Sequence, residues 1–252
     1  MLQQDLNSIS AWCDNWLMSL NGSKCKVVSF SRKQSLSLHS YLLYNSPLSV
    51  STSYKYLGVH LSDNLSWSNH IDANTSSASK TLGYLRRNLF SAPPHLRKLA
   101  YETYVRPILE FASAVWNPHQ KYLINQIESI QNRAVRFITS TYSRQASVSF
   151  LKNSILLQPL EIRRTAALLC IIHKSRYANP NVIAPLLEPP NRTSRRLTNS
   201  RSYKRIFGHT SAFNNSSLPR AIMHWNSLPD HITALSDPTA FRVAVLDFLS
   251  TI

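Results

Sequence analysis

Acidic side chains are scarce in this sequence of 252 residues: 12 Asp and Glu stand against 28 Lys and Arg, for a formal charge of +16 and a pI near 10.1. That imbalance favours polyanionic partners, nucleic acid first, because each cation that neutralises a phosphate releases condensed counterions. Glycine numbers only four, and the chain has no G-x-G-x-x-G loop, no Walker lysine and no G-x-S-x-G elbow. Nucleotide-binding and hydrolase readings fall with them. The cysteines are Cys13, Cys25 and Cys170, with no C-x-x-C pair and no ligand spacing to the scattered histidines. Neither a zinc site nor a disulfide scaffold is expected. No apolar run approaches the roughly 20 residues that span a bilayer, and no basic n-region leads a signal-type core. The sequence therefore predicts a soluble intracellular protein, nuclear or cytoplasmic, with no membrane partner. With 43% hydrophobic residues it can bury a sizeable core.

Leu2, Leu6, Ile9, Trp12, Cys13, Trp16, Leu17 and Leu20 recur at helical spacing, which predicts an amphipathic helix over residues 2–20 closed by Asn21-Gly22. Its tryptophans have no preceding element to receive them, so a missing upstream segment and a partly exposed indole face are expected. Residues 23–30, 36–44 and 47–50 read as strands, the last two around an Asn45-Ser46 turn. With the alternating run 54–61 they predict one small antiparallel sheet. From Ile71 the period becomes helical through Leu89, with Ser66 or Ser68 as N-cap and Pro93-Pro94 as stop. A second helix carries Leu96 to Tyr104 and is interrupted at Arg106-Pro107. A third carries Leu123, Ile127, Ile130, Ala134, Phe137 and Ile138, with Lys121, Arg133 and Arg136 on its outer side. Another helix starts at Leu160. Between Glu188 and Asp230 there is no acid, while Arg192, Arg195, Arg196, Arg201, Lys204, Arg205 and Arg220 lie among Ser, Thr and Asn. That stretch is expected to be a linker that orders on a polyanion. Asp237-Pro238 starts a final helix, as a cap followed by proline at the first helical position.

The run Tyr54-Lys55-Tyr56-Leu57-Gly58-Val59-His60-Leu61, followed by Trp67 and His70-Ile71, resembles the primer-grip region of reverse transcriptases from LINE-type (non-LTR) retrotransposons. The V-R-P-I-L-E-F-A-S-A-V-W-N-P run at 105–118 and I-E-S-I-Q-N-R-A-V-R-F-I-T at 127–139 are similar to that family's thumb and post-thumb helices. Pro219-Arg220 with the W-N-S-L-P run at 225–229 resembles its C-terminal motif. The resemblance implies an α+β chain in four parts: a palm-edge remnant with a primer-grip-like strand (1–65), a helical thumb and post-thumb region (66–178), a basic irregular segment (179–217) and a C-terminal helical segment (218–252). It also implies contacts to primer and template. Tyr54, Lys55, Tyr56, Leu57 and Gly58 would brace the primer end, and Lys80, Arg86, Arg87, Arg133, Arg136, Arg192, Arg195 and Arg196 would track the backbone without reading sequence. For each of the helical cations a solvated surface is the competing reading, and for Tyr56 and Leu57 a place in the sheet core.

Nucleotidyl transfer by two metals needs convergent carboxylates, which this family supplies as one early Asp and an adjacent pair. The seven aspartates here, Asp5, Asp14, Asp63, Asp72, Asp230, Asp237 and Asp247, include no adjacent two. The catalytic centre is missing, no cofactor is expected, and Mg²⁺ belongs only to a full-length relative. His70 with Asp72 and Cys170 with His173 lack a third group and read as capping or packing. Two functions follow. The first is a truncated polymerase part that holds RNA, DNA or their hybrid and associates with a full-length retrotransposon protein. The second is a non-enzymatic basic helical module for RNA or a protein partner.

Overall fold

The computed structural model describes residues 1–31, 39–178, 186–190 and 199–251. Two compact units divide the chain, Met1–Asp72 and Ala73–Ile252, and the class is α+β with a mostly helical remainder.

In the N-terminal unit, helix α1 (Leu2–Asn15) ends before the predicted Asn21-Gly22 stop. Leu17 turns left-handed at φ 54°, its N–H reaching the Asp14 carbonyl while Met18 N–H reaches that of Cys13. This pair closes the helix as glycine usually does. Gly22 opens a 3-10 turn instead. Strands follow at β1 (Lys26–Val27), β2 (Leu42–Leu43), β3 (Ser46–Pro47), β4 (Ser49–Val50), β5 (Ser53–Tyr56) and β6 (Val59–Ser62). They do not join into the single antiparallel sheet that the sequence suggests. β2 pairs with β3 and β5 with β6 antiparallel, whereas β1 pairs with β4 in parallel, giving three two-stranded ladders. The loop of the first hairpin is Tyr44-Asn45, one residue ahead of the predicted turn, both with positive φ. The run 54–61 is likewise a hairpin and not one strand. The Gln3 amide seals α1 onto β2, donating to the Leu42 carbonyl and accepting from its N–H, both at 2.9 Å. Cys13 and Leu43 are buried, while Trp12 and Trp16 are 55% and 67% exposed, as the unpartnered indole face predicts.

Helix α2 (Ser68–Asn88) has Ser66 at its start, whose hydroxyl accepts from Ser68 N–H. Ile71, Ala78, Leu82 and Leu85 form its buried stripe. Next come α3 (Pro94–Ala100) and α4 (Arg106–Glu110). The expected interruption at Arg106-Pro107 is instead a continuous passage through a π turn, Tyr101–Val105, in which Arg106 N–H reaches the Tyr101 carbonyl. The wider turn lets the helix pass proline, which has no N–H to give. After a left-handed Ala112 comes α5 (Ser113–Trp116), then α6 (Lys121–Thr139), α7 (Val148–Ser154) and α8 (Leu160–Tyr177).

A buried polar chain locks α6: Tyr101 donates to Gln131 at 2.8 Å, and Gln131 donates to the Gln158 carbonyl at 2.9 Å. Pro159 gives α8 no side-chain cap. Glu128 of α6 replaces one, accepting from Glu161 N–H at 3.0 Å and binding Lys152 at 3.0 Å, so a carboxylate meets the helix's positive end. α8 is packed by the helices Ser217–Ser227 and Pro238–Thr251 around Leu169, Ile172, Ile222, Trp225, Phe241 and Val245. As predicted, Asp237 caps the last helix, accepting from Ala240 N–H at 2.6 Å. Residues 199–210 are without regular structure, yet residues 199–203 are tied down. Asn199, 1% exposed, donates to the Trp225 and Leu228 carbonyls, and Tyr203 is clasped by Asn226.

Candidate nucleic-acid interface

In the N-terminal unit, the segment 54–58 forms the projecting end of the β5–β6 hairpin. Tyr56 pairs with Val59, and Leu57 (φ 47°) with Gly58 (φ 89°) makes the two-residue reversal between them. Both φ values are positive, as the tight turns matched to strand twist require. The turn itself accounts for a glycine at position 58. Tyr56 is 59% and Leu57 77% exposed, which places neither in a sheet core. Lys55 is exposed, opposite His60, and Tyr54 donates its hydroxyl to the Lys24 carbonyl at 3.1 Å.

The hairpin is anchored by His70, which is fully buried and accepts the His60 N–H on Nδ1 at 3.2 Å. Burial first, then the charges of His60 and Lys55, push its pKa down to about 4. A neutral imidazole that accepts a backbone proton is a structural group here, in agreement with the packing reading. His173 is likewise a packing group, its Nε2 donating to the Leu235 carbonyl at 2.8 Å and its ring stacked on Phe241 with centroids 4.2 Å apart. Among the described residues no three His, Cys, Asp or Glu converge as metal ligands.

In the C-terminal unit, an open groove of about 710 Å³ lies between the C-terminal ends of α2 and α6. Its walls include Arg86, Arg87, Phe90, Phe137 and Tyr142, with Arg97 at the base. Arg86 and Arg87 are exposed and form no ion pair among the described residues. The Arg86 guanidinium lies 5.8 Å from the centre of the Tyr142 ring. Phe90 is 77% and Tyr142 55% exposed. Guanidinium groups thus stand beside exposed aromatic rings, the combination that holds phosphates and stacks bases.

Arg97 is a residue that the sequence reading missed. Only 9% exposed, it donates from Nε to the Leu89 carbonyl at 3.2 Å and from Nη1 to the Phe137 carbonyl at 2.9 Å, and also binds the Phe90 carbonyl and Ser140 hydroxyl. One cation thus closes the negative ends of two helices and ties them together where the groove lies. Its acceptors lie up to 43 residues away, so no local pattern announces it.

Of the other predicted contacts, Lys80 is exposed on α2 two turns before Arg87, and Arg133 is exposed on α6. Neither lines the groove. Arg136 donates to the Ser143 carbonyl at 2.7 Å and shapes the loop that carries Tyr142. Arg192, Arg195 and Arg196 lie outside the described residues. No described helix is long and apolar enough to cross a membrane.

Compared with known proteins, the chain is 28% identical over 142 residues to the probable RNA-directed DNA polymerase from transposon BS of Drosophila melanogaster, a match covering 55% of this chain and 16% of that protein. It is 28% identical over 147 residues to the RNA-directed DNA polymerase from mobile element jockey of the same fly, covering 55% of this chain and 15% of the relative. The chain thus carries a region like the reverse transcriptases of non-LTR retrotransposons, and what it shares spans about a sixth of those relatives' length. No family profile and no solved structure matches it.

Proposed function

We propose that this reverse-transcriptase-like chain holds primer–template nucleic acid, RNA, DNA or their hybrid, through phosphate contacts, and does not extend a strand by itself. The observation that carries the reading is the groove, where Arg86 and Arg87 present unpaired charge beside Phe90 and Tyr142. Two guanidiniums with free forks bind phosphate oxygens bidentately, and rings accept any base on their faces. Affinity without sequence preference follows, because neither contact reads base edges. The exposed hairpin end, with Lys55, Tyr56 and Leu57, is a second contact.

The inactivity follows from the carboxylates. No two aspartates are adjacent, and Asp230 and Asp237 are already committed, the first to the Ser200 N–H and hydroxyl and the second to a helix cap. A test combines two readouts on purified chain. Binding to an RNA–DNA primer–template should be measurable at low salt and fall steeply as salt rises, while the same mixture with Mg²⁺ and labelled dNTPs should leave the primer at its starting length. Templated extension, or binding indifferent to salt, contradicts the proposal.

A protein-binding module is the second reading, favoured by one observation: Trp12 on α1 and Trp16 and Leu17 in the turn that closes it are 55%, 67% and 97% exposed, an apolar face of the kind that partners cover. Nucleic-acid affinity unchanged by Arg86→Gln, Arg87→Gln, Lys55→Ala and Tyr56→Ala together would favour it.

A further inference from the structure

Arg164, in the second turn of α8, is a fully buried cation. Its Nε donates to the Asn117 side-chain carbonyl at 3.2 Å, but neither Nη1 nor Nη2 has a partner, nor does Nδ2 of Asn117. A second guanidinium reaches the same residue from the helix Ser217–Ser227: Arg220 Nη1 donates to the Asn117 backbone carbonyl at 2.8 Å. Neither arginine forms an ion pair among the described residues. The carboxylates of Glu128, Glu161 and Glu110 act on Arg164 through their fields, and Glu161 acts on Arg220 as well; Glu128 and Glu110 are engaged by Lys152 and Arg163. Burial holds both arginines below the ordinary guanidinium range, and at Arg164 the charge of Arg220 adds to this. His119, exposed, and His224, half-buried, stand near Arg220, and burial and its charge lower both imidazoles.

A buried donor without an acceptor is costly, and a buried charge without a counter-charge more so. Here three unused nitrogens lie on two side chains, Arg164 and Asn117, and a second guanidinium, that of Arg220, is held on the Asn117 carbonyl. We infer that the Arg164–Asn117–Arg220 cluster is a binding site for a phosphate-class oxyanion, separate from the Arg86–Arg87 groove, with which it shares no residue. A tetrahedral oxyanion takes several N–H donors at once, and two guanidiniums match a dianion. The phosphate is either free in solution or the terminal group of a nucleic-acid chain.

Thermal unfolding of the full chain in inorganic phosphate, against chloride at matched ionic strength, tests the site. Phosphate at about 10 mM should raise Tm by about 3 °C or more, and Arg164→Met should remove the rise while the Arg86→Gln/Arg87→Gln variant retains it. Should Arg164→Met fail to fold, Arg220→Gln replaces it, with phosphate binding by titration calorimetry expected to weaken about tenfold. A larger rise with a 5′-phosphorylated dinucleotide than with its 5′-hydroxyl form assigns the ligand to a chain end; a rise with inorganic phosphate alone assigns it to the free anion. No phosphate-specific rise in the wild type, or an equal rise in Arg164→Met, overturns the inference.

Discussion

At φ 47° and 89°, Leu57 and Gly58 sit in a backbone region that glycine enters freely and leucine does not. Gly58→Ala should therefore destabilise the hairpin by about 1–2 kcal/mol, while Leu57→Asn, which gives the asparagine–glycine pair that such turns favour, should stabilise it by about 0.5–1 kcal/mol. If the exposed leucine contacts nucleic acid, Leu57→Asn will also weaken binding, so melting and binding measured on one variant separate the two roles. His70 sets a pH dependence. Its imidazole stays neutral down to about pH 4 in the folded chain, whereas an unfolded histidine protonates near pH 6.5. As pH falls through that interval the unfolded state takes up the proton first, so the stability due to His70 is complete above about pH 6.5 and is lost towards pH 4. An NMR titration of the His70 ring with a midpoint near 6.5 would contradict the buried acceptor role. Arg97→Met removes the side-chain donor from the Leu89, Phe90 and Phe137 carbonyls, of which Leu89 and Phe137 keep the backbone N–H of Ala92 and Ser140; as the third test, it should cost about 1–3 kcal/mol in urea unfolding. A loss under about 0.5 kcal/mol would show that the two helix ends do not depend on it.

The elements show where sequence patterning suffices. α6 and the last helix are legible because apolar residues recur at helical spacing over nearly their whole lengths, and Asp237-Pro238 marks a start that local chemistry decides. The hairpin was hidden because alternation alone cannot distinguish one eight-residue strand from two strands reversing at Leu57-Gly58. Parallel pairing of β1 with β4 joins residues 23 positions apart in register, Lys26 with Ser49, and nothing in either dipeptide specifies it. At Pro107 the sequence shows the missing donor but not the π turn that accommodates it. Of the candidate contacts, Arg86 and Arg87 were legible as a basic cluster on α2, whereas Arg97, Phe90 and Tyr142 enter the groove only through tertiary packing of α2 against the loop after α6. The buried Arg164–Asn117–Arg220 cluster joins residues up to 103 positions apart, beyond any spacing rule.

For the whole molecule, a charge of +16 guarantees some affinity for any polyanion, so binding alone discriminates nothing. What separates a built interface from diffuse attraction is the contribution of particular cations to counterion release. Each phosphate contact adds about 0.9 to the slope of log K against log salt on a DNA duplex. The most direct measurement is that slope for the wild type and for Arg86→Gln/Arg87→Gln, on the same duplex and with folding verified. The groove account predicts a slope smaller by about 1.8 in the double variant, together with weaker binding at every salt concentration. Equal slopes for the two proteins would show that nucleic acid is held elsewhere and would contradict it.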